Sequence, residues 1–300
     1  MESVKKIDIH AHASAFPQYA PPHPAVGLSM VSAEDVIDFY DKLNIEKGIL
    51  LPLSAPEAQP QIMTSEACKW IVDQHPDRFD WFCGVDPRMM QYSPKSDLSH
   101  LLNHYKALGA KGVGELTATL PADSPMMDNL FHHCEECDMP VMIHIAHKLE
   151  DCYGILDDKG LPRIERMLKK HRNMKLIGHS QSFWAEISGT LTEEERSGYP
   201  TGKVTEGTLT RLMREYDNLY CDLSAGSGYN AMSRDPEFTA RFVEEFADRI
   251  MYGVDICHRT NVHPYKMDAF LTKMVEDGYI SFTNYKKIVR ENAIRILKLS

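Results

Sequence analysis

Long apolar runs are missing from this chain of 300 residues. None approaches the roughly 20 needed to cross a bilayer as a helix, and the N-terminus has no apolar core of the secretory kind. A membrane-spanning or exported protein is not expected, and a cytoplasmic location is. Positive charge is scarce as well. Thirty-three lysines and arginines stand against 43 aspartates and glutamates, a net charge of −10 with no basic tract, which argues against nucleic acid or an anionic membrane as partner. The seven cysteines are an odd number and scattered. A chain long enough to bury a large core needs no disulfide framework, so reduced thiols are expected. Cys134 and Cys137 form one Cys-x-x-Cys on a helical stretch without a second pair, where packing is a better reading than metal or redox chemistry. Gly-x-Ser-x-Gly and glycine-rich phosphate loops are absent, disfavouring serine-hydrolase and nucleotide chemistry. With no linker, low-complexity segment or repeat, a single domain over residues 1–300 is expected.

What the chain does have is an alternation. Short β-rich runs at 6–12, 48–53, 79–85, 111–116, 141–145, 174–179, 219–223 and 249–255 alternate with helical patterns. Ser32 with an acid three residues on, Ser124-Pro125 and Asp235-Pro236 are helix-opening signals between the runs. Eight strand-like runs, each followed by a helix, predict an α/β fold of the (β/α)8 TIM-barrel type. A doubly wound sheet is the weaker alternative, because it leaves the missing phosphate loop unexplained.

In a barrel the C-terminal strand ends converge on one mouth. The first run ends in His10-Ala11-His12, whose imidazoles share a face if the strand is regular. The fourth run ends at Glu115, the fifth at His144, the sixth at His179 and the eighth at Asp255. Histidine fills about one position in twenty of this chain, and four at strand ends is a clear excess. All six residues are metal-ligand types set beside apolar runs, where an unpaired charge is costly. Each also has a plainer reading: surface imidazoles of a half-buried strand for His10 and His12, an N-cap for Asp255, a satisfied core imidazole for His144, a strand-to-loop residue for His179, and an ion-pair acid for Glu115. Asp8 would share the histidines' face on a regular strand, in a supporting or capping role.

The order Asp8-Ile9-His10-Ala11-His12, His144, His179, Gly253-Val254-Asp255, with the tail Ile288-Val289-Arg290-Glu291-Asn292-Ala293, resembles the amidohydrolase superfamily. The closest likeness is to its second large branch, of small metal-dependent hydrolases and decarboxylases. The resemblance implies that His10, His12 and Asp255 ligate a buried divalent metal, best taken as zinc. It implies that His144 and His179 serve a second ion or the substrate. The fourth-strand position carries a bridging carboxylate in two-metal members, commonly a carboxylated lysine. Glu115 stands there instead, which leaves one or two ions open. In such a centre Asp255 can take a proton from water and pass it to the leaving group, and His179 can polarise a carbonyl oxygen or hold an oxyanion.

Specificity should lie in the loops after the strands. Phe183 and Trp184 suggest a flat ligand, although a self-packed lid fits equally; Arg259 suits a substrate carboxylate, and His258 lies beside it. The expected partner is a small molecule, and nothing decides between a monomer and a homo-oligomer. Three readings follow: a hydrolase of a small amide, ester or lactone; a non-oxidative decarboxylase of an aromatic or unsaturated acid; and a metal-binding barrel without turnover. Glu115 with His179 favours the first.

Overall fold

Eight short parallel strands form the frame of the computed structural model, which describes residues 4–58, 62–149 and 153–300. They are β1 (Lys6–Ala11), β2 (Ile45–Leu50), β3 (Phe79–Trp81), β4 (Val113–Leu116), β5 (Val141–Ala146), β6 (Leu176–His179), β7 (Leu219–Asp222) and β8 (Ile250–Met251). Parallel ladders join β1 to β3 and, separately, β4 to β8. Two seams of backbone hydrogen bonds unite these arcs. At one, Cys83 N–H donates to Gly112 O (2.9 Å) and Gly114 N–H to Cys83 O (3.0 Å). At the other, Ile9 N–H donates to Tyr252 O (3.1 Å) and Asp255 N–H to His10 O (2.8 Å). The ring is closed and parallel, a (β/α)8 barrel as the alternation predicts.

The helix-opening signals act as read. Ser32 and Asp35 form a reciprocal capping box on the helix Ala33–Leu43, Ser124 caps Pro125–Glu136, and Asp235 caps Pro236–Phe246. The helical pattern between the second and third runs is the helix Ser65–Gln74. Elements without a clear signal include the helix Ala225–Ser233, the helical turn Gln181–Ala185 and a two-residue strand, Ile155–Leu156, beside β5. Cys134 and Cys137 lie buried at the end of the helix Pro125–Glu136. All six described cysteines are free thiols; Cys152 lies outside the described residues. Among the described residues no helix is long and apolar enough to cross a membrane.

The barrel interior is an apolar layer of Ile7, Ile9, Ile49, Leu51, Phe82, Met142, Ile177, Tyr220 and Met251. Ala293, Ile296 and Leu297 of the last helix, Asn292–Leu297, join that layer and plug it. Burying each large side chain contributes about 1.5–3 kcal/mol, which offsets the cost of the buried charges at the opposite end.

β1 carries both the apolar layer and the two histidines, and a bulge makes this possible. Between Asp8 and Ala11 it advances three residues while β2 advances two, from Gly48 to Leu50. Ile7 and Ile9 therefore face the interior below, and His10 and His12 face it above, although they differ in parity. Asp8 does not share the histidines' face, contrary to the regular-strand expectation. It is fully buried behind β1, where Oδ1 accepts from His10 N–H (2.8 Å) and Val254 N–H (2.9 Å). Oδ2 accepts from the Tyr40 hydroxyl (2.6 Å). Burial pushes the Asp8 pKa up to about 7 against these hydrogen bonds. Tyr40 reaches Asp8 only because Gly48 has no side chain: a Cβ there would stand 1.8 Å from its hydroxyl oxygen. The Gly48→Ala change is expected to lower stability by about 1–3 kcal/mol through overpacking, measured as a lower urea midpoint with unchanged slope.

Candidate metal centre

Four imidazoles and three carboxylates meet where the strands end. His10, His12, Glu115, His179 and Asp222 are almost wholly buried, and His144 nearly so. His12 Nδ1–H donates to Leu51 O (2.9 Å), and His10 Nδ1–H donates to Asp222 Oδ2 (2.7 Å). Both neutral rings then carry the lone pair on Nε2, and the two Nε2 atoms stand 3.0 Å apart. Glu115 Oε2 lies 3.7 Å from His10 Nε2 and 3.5 Å from His12 Nε2. Asp255 Oδ1 lies 3.6 Å from each. These separations bracket the edges of about 3.3–3.4 Å that follow from metal bonds of about 2.0–2.1 Å in a tetrahedron.

The electrostatics point the same way. Burial opposes charge on His10, but Asp255, Asp222 and Glu115 outweigh it and hold its pKa well above the histidine range. Burial would raise the three carboxylates. His10 instead draws Glu115 well below the ordinary glutamate value, and His10 with His179 draws Asp222 far down. Asp255 is lowered by His10, His12 and His179. One proton could bridge the two Nε2 atoms, yet it would leave a single positive charge facing three carboxylates. A divalent cation answers the nitrogen pair and the carboxylate oxygens together, so the donor set fits a metal.

A second donor set adjoins the first. Glu115 Oε1 is 2.8 Å from His144 Nδ1, and ligand atoms of Glu115, His144 and His179 lie within 4.8 Å of one another. The same holds for His10, His179 and Asp255, with His179 Nε2 3.7 Å from Asp255 Oδ2. The structure thus brings together all six residues read as ligands.

Sequence reasoning missed a supporting residue that orients two of these imidazoles, Asp222 at the end of β7. Its Oδ2 accepts from His10 Nδ1–H and from Ser224 Oγ–H (2.6 Å), and lies 3.1 Å from His179 Nδ1. Oδ1 accepts from Ser224 N–H (2.9 Å). Gly253 leaves the room, since a Cβ there would stand 2.4 Å from Asp222 Oδ1. The available signal was the rule used for the other strands: an acid closing a buried apolar run.

The substrate-binding expectations fare differently. Phe183 and Trp184 are not in the mouth; both are buried in the main core, and Trp184 Nε1–H donates to the Asp222 carbonyl (2.9 Å). Trp184 thus braces β7 while Phe183 lies against Gly178 of β6, because Ser180 caps a helical turn, Gln181–Ala185, that folds both rings inward. Arg259 is 74% exposed and bonds Asp35 (2.9 Å), outside the ring of imidazoles. His258 packs under the first loop, its ring 5.9 Å from that of His23. His263 Nε2–H donates to Val254 O (2.6 Å), steadying the backbone that presents Asp255.

The sequence matches the family described as Amidohydrolase over residues 7–299. The chain belongs to the amidohydrolase family. No curated relative matches it. Solved structures give the fold. A Bordetella bronchiseptica TIM-barrel protein has a TM-score of 0.64 at 15% identity, covering 98% of this chain and 99% of that one. A Pseudomonas putida protein assigned as a 2-pyrone-4,6-dicarboxylic acid hydrolase has 0.64 at 12%, covering 99% and 98%. A dihydroxybenzoic acid decarboxylase from a Polaromonas species, with bound manganese and 2-nitroresorcinol, has 0.57 at 15%, covering 99% and 98%. Hydrolysis and decarboxylation both occur on barrels of this shape, and this amidohydrolase-family enzyme carries a donor set suited to divalent metal.

Proposed function

We propose that this amidohydrolase is a metal-dependent hydrolase that cleaves an amide, ester or lactone bond of a small molecule in the cytoplasm, with zinc as the resident ion. The observation that carries the reading is the position of Glu115. One of its oxygens faces the His10–His12 pair and the other faces His144, where a carboxylate can bridge two ions. His10, His12 and Asp255 would hold one, His144 and His179 the other. Bound ions supply Lewis acidity, acidifying water and polarising a substrate carbonyl. Asp255 takes the proton from the attacking water and returns it to the leaving group. The buried Asp222 fixes the tautomer of His10 and His179, and the apolar layer beneath keeps bulk water from the floor of the site.

The test is metal content per chain with and without Glu115→Ala. Two ions falling to one, with loss of esterase or lactonase turnover, is the expected result. A single ion unaffected by the change would overturn the bridged hydrolytic centre and favour decarboxylation of an aromatic or unsaturated acid.

A further inference from the structure

Among the described residues one thiol, that of Cys257, reaches the centre. The chain leaves β8 through a left-handed residue, Asp255 (φ 52°), which turns the next residues back toward the ring. Asn261 Oδ1 then accepts from the backbone N–H of Cys257 (2.9 Å) and of His258 (2.8 Å), holding the turn in place. Cys257 Sγ–H consequently donates to Asp255 Oδ1 at 3.4 Å, and ligand atoms of His12, Asp255 and Cys257 all lie within 4.8 Å of one another. A tetrahedral ion bound through sulfur at about 2.3 Å and oxygen at about 2.0–2.1 Å separates those two donors by about 3.5 Å. The sulfur is thus already at a coordination edge from the carboxylate oxygen that faces His10 Nε2 and His12 Nε2 (3.6 Å each). His12, 2% exposed, aims its Nε2 into the same space.

We propose that Cys257 Sγ is a further donor to the ion that His10, His12 and Asp255 would hold, giving that position a preference for thiophilic cations. This rests on the metal reading above. The carboxylate and imidazole groups of the other ligand positions accept manganese, zinc or cobalt alike, whereas a thiolate selects zinc, cadmium and cobalt(II) over manganese and magnesium. On ion entry the S–H bond gives way to a metal–sulfur bond and the proton passes to solvent. No redox change is involved.

The probe is cobalt(II) loaded into the metal-free full-length chain, with cobalt per chain measured alongside the absorption spectrum. The wild-type chain should show the visible d–d bands of a bound ion together with a near-ultraviolet sulfur-to-cobalt charge-transfer band. In Cys257→Ser and Cys257→Ala the charge-transfer band should vanish while bound cobalt persists. Competition between zinc and manganese should shift toward manganese by more than tenfold in both variants. Bound cobalt without the charge-transfer band in wild type, or a band that survives in both variants, would overturn the role of Cys257 and leave the metal reading standing. Failure to bind cobalt at all in the wild-type chain would overturn both. Among the described residues Cys257 is the one cysteine grouped with the proposed ligands, so absence of the band in the wild-type chain overturns its role even if neither variant folds.

Discussion

The Asp255→Asn variant is expected to turn over about 10²–10⁴-fold more slowly than the parent chain on any ester, lactone or amide that the parent cleaves, the range for loss of a positioned acid–base group. Three carboxylates crowd the centre, and solvent access separates their tasks. Side-chain exposure is 18% for Asp255, 3% for Glu115 and 0% for Asp222. A carboxylate that must collect a proton and give it up needs a path to the mouth, and of these three Asp255 has the widest. Its Oδ2 also lies 3.7 Å from His179 Nε2, so the proton is released beside the imidazole placed to hold a substrate oxygen. Asparagine preserves shape and one oxygen ligand while removing the basic site. The check is kcat against pH, read together with metal content. A variant that keeps its ion and loses the rising acid limb of the profile fits the assignment. One that keeps both its ion and near-parental turnover would remove Asp255 from proton transfer.

Much of this centre was legible from residue order alone, for a physical reason. Parallel strands in a closed ring must be buried on both sides and read as apolar runs, so a polar residue at their ends stands out; this located His10, His12, Glu115, His144, His179 and Asp255. The same logic applied to Leu219-Tyr220-Cys221-Asp222 would have found Asp222 as well. What the pattern could not carry was anything depending on a break in regularity. The bulge in β1 puts Ile9 and His10 on the same face of the ring and sends Asp8 behind the strand, so alternation misplaced Asp8. Phe183 and Trp184 follow a strand end and so looked like mouth residues, but the Ser180 cap starts a turn that buries both rings. Arg259 looked free because its partner, Asp35, is 224 positions away in the chain. Cys257 drew no attention because its place beside Asp255 follows from the left-handed turn, which no local composition announced.

Asp222→Ala should be the most damaging single change that touches no ion. Asp222 Oδ2 holds His10 Nδ1–H at 2.7 Å and stands 3.1 Å from His179 Nδ1, so one carboxylate orients imidazoles from two strands. Removing it leaves His10 Nδ1 with the neutral Ser224 hydroxyl (3.2 Å) in place of a carboxylate, and breaking a buried pair in this way costs about 3–5 kcal/mol. Loss of an orienting partner lowers metal affinity by about 10–100-fold for each ligand it fixes. Both effects can be read on one preparation, by chelator competition and by urea unfolding of the metal-free chain. The pH dependence adds a sign. The Asp222 carboxyl is depressed in the folded chain, so its contribution is present above the ordinary aspartate value, about 4, and fades as pH falls below it. The His10 imidazole is raised, so its contribution is present below the ordinary histidine value, about 6.5, and fades as pH climbs through the raised one. The metal-free chain should therefore draw most stability from this pair between about pH 4 and 6.5. In Asp222→Ala that maximum should flatten. A variant whose stability against pH runs parallel to the parent would mean that the pair is not what orders the floor of the site.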